Sequence, residues 1–253
     1  MSIEAFLTGS IFQYLLIFAR IGAAVSLIPG FGENYVAIRS RLAFALLMSF
    51  VLMPMIKDMI PILPPEPAAL ALLVISEITI GMFFGLICRI ILMATLSAGM
   101  VIALQIGIAN AFSSDPTTAQ QGAVTGNFLV AVAVVLIFAT DLDHMTLRAL
   151  VGTYGVFHPG EVPELQDVAN MIARVSADSF LLALQMSAPF LVYGVVLVVG
   201  MGLLARLMPT LQVFFVIMPL QLLVGFGLMA VTVSASMIWF LEVYRNHLTG
   251  FIE

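Results

Sequence analysis

The sequence predicts an all-α, membrane-embedded protein built of helical hairpins, and three observations predict it. Hydrophobic residues make up 62% of the 253 and charged residues only 9%, too apolar for a soluble domain that must cover its surface with polar groups. The apolar residues gather into runs long enough, at ~1.5 Å of rise per residue, to cross or enter a ~30 Å hydrocarbon core. Between the runs stand short connections marked by proline, glycine and charge. The net charge is −5 and no basic run occurs, so binding to nucleic acid has no electrostatic support. Cys88 is the single cysteine and lies in an apolar run, which excludes an internal disulfide and a paired-cysteine metal or redox site.

No Lys or Arg precedes Arg20, so the basic first region of a cleaved signal peptide is missing and the first apolar run is expected to stay in the mature protein. That run, residues 6–28, is long enough to span, and Arg20 within it either takes a partner at depth or snorkels to the interface. Pro29, Gly30 and Gly32 then break the helix ahead of the polar Glu33, Asn34, Arg39 and Arg41. Residues 42–56 are apolar but short, and Pro54 argues against a clean full span. Pro61, Pro64, Pro65 and Pro67 make a stiff, extended linker. Residues 68–109 exceed the length of one span, so they form either two spans broken near Ser97 and Gly99 or one helix projecting beyond a bilayer. Glu77 and Arg89, the only charges there, lie about 120° apart around a helix. They are not expected to pair with each other, so each needs another partner. Gly81 and Gly85 form a GxxxG step that lets a neighbouring helix approach closely.

Residues 105–127, QIGIANAFSSDPTTAQQGAVTGN, lie between apolar runs, yet they are polar, small and nearly uncharged, with Asp115 the lone charge. Irregular backbone at membrane depth survives only where protein or water satisfies its polar groups, so this stretch either lines or plugs an aqueous path or is a neutral turn at one membrane face. Residues 123–140 are an uncharged span candidate. Residues 141–178 carry most of the remaining charge and read as a solvent-facing hairpin of two short helices, divided by His158, Pro159, Gly160 and Pro163. Residues 179–205 and 207–241 then form a helical hairpin whose turn bears Arg206, with Pro189 and Pro219 expected to kink or tilt its arms. Gln185, Gln212 and Gln221 are amides expected to hydrogen-bond across helices or face water. Trp239, Glu242, Tyr244 and Arg245 read as an interfacial anchor.

Chemistry is sparse. His144, His158 and His247 stand in separate polar segments, and Asp141, Asp143 and His144 read as the solvated exit of an apolar helix rather than a metal cluster. There is no phosphate-binding glycine loop, nucleophile elbow or zinc-protease motif. Without a convergent acid, base and nucleophile, the chain is not expected to be an enzyme and needs no cofactor or metal. A secondary transporter or channel for a small solute would use Glu77, Arg89 and residues 105–127 as a midplane site, but it calls for an inverted repeat of broken helices that the sequence lacks.

A set of residues in the chain is similar to a known family. Arg20-Ile21-Gly22 leads to Pro29-Gly30-Phe31-Gly32, Arg39 and Arg41; Glu77 stands with Gly81 and Gly85; Gln105-Ile106-Gly107 precedes Phe112 and Asp115-Pro116. With the run ARLMPTLQVFF at residues 205–215, followed by Pro219, Leu220 and Gln221, these resemble the FliR family of flagellar export proteins over nearly the whole chain. Ala37 departs from the family pattern, which has proline there. The resemblance implies a pore-forming core subunit of the type III protein export gate, in the bacterial inner membrane and the flagellar basal body. It also implies FliP-like and FliQ-like subunits as partners, with FlhB and FlhA joined to them, membrane lipid around the complex, and unfolded flagellar proteins as cargo. In that reading residues 1–178 are a FliP-like part and residues 179–253 a FliQ-like hairpin. The plug falls on residues 105–127, with Gln105, Phe112, Ser113, Ser114, Asp115 and Pro116 closing the pore. Arg206, Pro209, Gln212, Phe214, Phe215, Pro219 and Gln221 mark the cytoplasmic turn and subunit contacts. Arg20, Glu77 and Arg89 are intramembrane charges, with partners for Glu77 and Arg89 expected across subunit contacts.

Overall fold

The computed structural model describes residues 3–108, 123–160, 163–207 and 213–252. Their regular structure is helical throughout: α1 (Ile3–Val25), α2 (Ile38–Ile56), α3 (Pro67–Ile106), α4 (Ala123–Ala139), α5 (Leu142–Val156), α6 (Leu165–Leu207) and α7 (Val213–Thr249), with a 3-10 turn at Lys57–Met59. Among the described residues, four stretches are long and apolar enough to cross a membrane, one made of α2 with the 3-10 turn (Ile38–Met59) and the others within α3, α6 and α7, and α4 with α5 passes the same test as a broken span.

Each boundary follows from local chemistry. Pro67 opens α3 at the position where a missing N–H costs nothing, and the α3 sequence, rich in Ala, Leu, Ile and Met, has no further proline and carries its glycines singly. Gly107 ends it with φ +83, a left-handed turn that glycine adopts without strain. The 40 residues of α3 run unbroken through Ser97 and Gly99, so the reading as one long helix holds and the break does not occur. Pro54 likewise sits inside α2, which starts at Ile38 and reaches span length as Ile38–Met59, longer than the apolar run suggests. Ala37, just before α2, has φ −59 and ψ 135, a backbone that proline also adopts.

The chain divides into two compact units. Unit 1 comprises Met1–Ile90, Thr140–Ser176 and Tyr244–Glu253. Within it the GxxxG step of α3 receives α1 of the same chain. A Cβ on Gly81 would overlap the Arg20 carbonyl, and one on Gly85 would lie 2.7 Å from Leu27 Cβ. Leu16, Ile17 and Ile21 of α1 and Ile80, Phe84 and Ile87 of α3 are all shielded from solvent. Phe84 also packs edge-on to Phe251 with ring centroids 5.3 Å apart. The water-compatible reading of residues 141–178 is corrected in two places. In α5, Ala149, Leu150, Thr153 and Tyr154 are buried, because its apolar face packs into this core. The second piece is not a separate helix: α6 starts at Leu165 and continues to Leu207, since nothing between Leu165 and Arg206 except Pro189 interrupts helical sequence. Tyr244 is fully buried and shares a 3.1 Å hydrogen bond with Thr146, so it is a core residue and not an interfacial anchor. Trp239, outside this unit, is exposed.

Unit 2 comprises Ile91–Ala139 and Ala177–Val243. Here Gly99 performs a different task from the break expected of it. A Cβ on Gly99 would overlap Gly126 Cα, and one on Gly126 would lie 2.8 Å from Leu96 Cδ1, so α3 and α4 cross with backbones nearly in contact. Ala98, Ile102 and Ala103 of α3 and Leu129 and Ala133 of α4 are buried. Leu182, Met186 and Phe190 of α6 and Met237 and Phe240 of α7 are also buried, whereas long apolar stretches of both helices, including Val192, Val195, Val196 and Val199, stay exposed. Pro189 and Pro219 lie inside α6 and α7.

Candidate functional site

Three polar clusters stand out within the apolar frame. In unit 1, Arg20 is fully buried on α1, where a lone cation would be too costly to keep. It is not lone. Its Nε donates to Glu77 Oε2 at 2.6 Å and its Nη2 to Glu77 Oε1 at 3.0 Å, the two-pronged geometry in which guanidinium matches carboxylate. Nη1 donates to the Thr153 carbonyl at 3.2 Å, and both terminal nitrogens reach the Phe157 carbonyl at 3.2 Å. Thr153 lies in the last turn of α5, its carbonyl also accepting from the Phe157 N–H, and Phe157 caps that helix, where the dipole is negative. The guanidinium carbon also lies 4.0 Å above the Tyr154 ring, a cation–π contact strengthened by burial. One arginine thus ties α1, α3 and the C-terminus of α5 together. The alternative that Arg20 snorkels is set aside.

The second cluster, also in unit 1, lies around the connection between α1 and α2. Arg89 pairs with Glu33, so both Glu77 and Arg89 find partners inside the chain rather than across subunit contacts. The sequence pointed away from a Glu77–Arg89 pair, correctly, but offered no sign of which distant residue each would meet. Arg41 donates from Nε to the Phe31 carbonyl and from Nη2 to the Glu33 carbonyl, both at 2.9 Å.

The third cluster is in unit 2, where α3 runs into the central polar stretch. Gln221 of α7 donates through Nε2 to the Gln105 carbonyl at 2.8 Å, and Tyr193 of α6 donates through its hydroxyl to the Gln221 carbonyl at 2.8 Å. The fit leaves little slack: a Cβ on Gly107 would lie 3.1 Å from the Gln221 amide, and one on Gly194 would overlap the Gln105 side chain. The structure therefore brings together Gln105 and Gln221, two residues singled out on separate parts of the sequence. Tyr193 was missed, since a tyrosine within a valine-rich helix reads as packing; its hydroxyl amid apolar neighbours was the available signal.

Other residues singled out from sequence have different places. Arg206 is exposed in the last turn of α6, where a cation complements the dipole, and Pro219 is exposed on α7. Gln185 is exposed on α6. Phe112, Ser113, Ser114, Asp115, Pro116, Pro209 and Gln212 lie outside the described residues, as do the side chains of Phe214 and Phe215. Asp141, Asp143 and His144 have ligand atoms within 4.8 Å of one another. Asp141, with φ +57, and Asp143 begin α5, and acidic residues complement the positive end of a helix, so the cluster has an ordinary explanation.

The fold and these clusters define an all-α membrane protein whose internal charges serve its own packing and whose long C-terminal helices leave apolar surface uncovered. The family model for bacterial export proteins, family 1, matches residues 11–247. The chain is 33% identical over 238 residues to the flagellar biosynthetic protein FliR of Caulobacter vibrioides, covering 93% of this chain and 95% of the relative. Identity to the FliR of Bacillus subtilis is 30% over 211 residues, 82% of this chain and 81% of the relative. The Yop proteins translocation protein T of Yersinia pestis is 27% identical over 167 residues, 64% of this chain and 62% of the relative. The chain belongs to the FliR family of bacterial export proteins. It is a membrane component of a type III export apparatus, which works with other export proteins in protein transport and flagellum assembly.

Proposed function

We propose that this chain is a core, pore-forming subunit of the flagellar type III export gate in the bacterial inner membrane, passing unfolded flagellar proteins without catalysis of its own. The observation that carries the reading is the hydrogen-bonded link from Tyr193 through Gln221 to Gln105. It joins the start of the polar 105–127 stretch to the C-terminal helices, so a change in the hairpin is coupled mechanically to the segment assigned to closing the path. The exposed apolar surfaces of α6 and α7 suit a subunit surrounded by FliP-like and FliQ-like neighbours, with FlhB and FlhA at the same gate. The pairing of Glu77 with Arg20 and of Arg89 with Glu33 uses up, inside the protein, the charges that a small-solute transporter would need for its substrate.

The test is deletion of residues 112–116 from the chromosomal copy, with membrane ion leakage and filament assembly measured in the same cells. Leakage with retained export is the expected result. A tight membrane with normal filaments reduces the stretch to a connector and removes the gate assignment.

A further inference from the structure

We propose that Gly194 of α6 and Gly225 of α7 are positioning residues: they form two sockets that grip consecutive side chains, Gln105 and Ile106, at the end of α3, and this clasp stays shut while cargo passes. The proposal rests on the reading of residues 105–127 as the closing segment and adds what fixes the place from which that segment starts. All of these contacts lie within unit 2.

The sockets are made by missing side chains. A Cβ on Gly225 would lie 2.6 Å from Ile106 Cβ, far nearer than two unbonded carbons approach, and one on Gly194 would overlap the Gln105 side-chain oxygen. Neither glycine has a positive φ, and both stand inside long helices, where glycine is less favourable than alanine. Closeness to α3, and not a turn, is what calls for glycine at these two positions.

The geometry holds the end of α3 in place. Gln105 and Ile106 point about 100° apart around the helix, so the two arms meet it from different directions. Displacement toward either arm runs into backbone. Displacement away breaks the Gln221 bond to the Gln105 carbonyl and uncovers Ile106, which is fully buried. Tyr193, next to Gly194, bonds to the Gln221 carbonyl and ties the arms to each other at the same level. Opening the clasp would therefore empty a filled socket and unpair an amide and a carbonyl together, which favours the shut state. The grip is also local. Gly194 and Gly225 are buried, whereas Val192 and Val195 beside the first and Leu223 and Phe226 beside the second are exposed. A single methyl group in a socket should thus shift the end of α3 without dissolving unit 2.

The experiment uses the full-length chain in its native gate, in cells. Gly225→Ala should leave the gate subunits copurifying in wild-type amounts and raise ion leakage several-fold, toward the level of the 112–116 deletion. Adding Ile106→Gly, which returns room to the socket, should bring leakage back down. A glycine needed only for folding would lower gate amount and filaments together, so a tight membrane in Gly225→Ala at wild-type gate amounts overturns the proposal. A second variant holds whatever Gly225→Ala does to assembly. Gln105→Cys with Gly194→Cys puts a thiol where Gln105 Cγ stands, 3.6 Å from the Cβ of residue 194 and close to disulfide reach, with buried Cys88 left in place. The bond should form in the assembled gate on oxidation with diamide, and sheared filaments should regrow at the same rate in oxidised and reduced cells of this strain. Regrowth that stops on oxidation and resumes on reduction means that the clasp has to open, and it overturns the proposal, as does a pair that never cross-links. If the 112–116 deletion is itself tight, the gate reading fails, and the cross-link alone decides the clasp.

Discussion

Arg20 concentrates the energetics of unit 1 in a single side chain. A buried pair of this kind contributes little over a well-packed apolar replacement, but removing one partner strands the other in a low dielectric. Glu77→Gln should therefore destabilise the protein by about 3–5 kcal/mol, read as loss of folded protein in detergent melts and loss of filaments in cells. A double change, Arg20→Met with Glu77→Leu, should recover much of that loss, except for the bonds to the Thr153 and Phe157 carbonyls. If Glu77→Gln melts like the parent protein, the pair carries no such weight. At this scale the sequence was legible in part: it marked Arg20 and Glu77 as residues in need of partners. It did not join them, since they are 57 positions apart and only the α1–α3 packing brings them to one place.

Small residues decide how the elements cross. Gly81 and Gly85 bring α3 against α1, and Gly99 with Gly126 brings α3 against α4. Gly99→Leu should force that second pair apart, lowering assembly of the protein into its complex, while Gly155→Leu, at an exposed position on α5 with open space around it, should leave assembly unchanged. Equal effects of the two substitutions, measured by copurification of the export subunits, would remove the argument. Helix existence was readable from apolar runs and helix starts from proline and polar residues. The boundaries at Leu165 and Ile38 were not, because charge density made residues 165–178 look like a solvated piece while the helical periodicity simply continued into α6. Likewise Ser97 and Gly99 looked like a break, yet glycine in a long apolar helix serves equally as a place for another helix to touch.

For the whole molecule, the exposed valine and leucine surfaces of α6 and α7 set the main expectation. A membrane accommodates such surfaces, but the exposed Gln185 and Arg206 ask for polar neighbours or water. The isolated chain should accordingly aggregate or unfold in mild detergent and become stable when coexpressed with the other gate subunits. Size-exclusion chromatography of the chain alone would oppose this by yielding a single, monodisperse monomer.

By itself the sequence determined that the protein is helical and belongs in a membrane, because composition and the length of apolar runs limit what a chain can do in a solvent that satisfies no backbone groups. It also carried the family's motifs and marked Gln105, Gln221, Arg20 and Glu77 as residues out of keeping with their surroundings. Only the tertiary structure decided who meets whom: Arg20 with Glu77 and the end of α5, Arg89 with Glu33, Gln221 with Gln105, and Arg41 with the Phe31 and Glu33 carbonyls. The physical reason is that burial makes an unpaired charge or amide costly without naming its partner. The partner is fixed by close packing of helices distant in sequence, whose geometry no local pattern encodes.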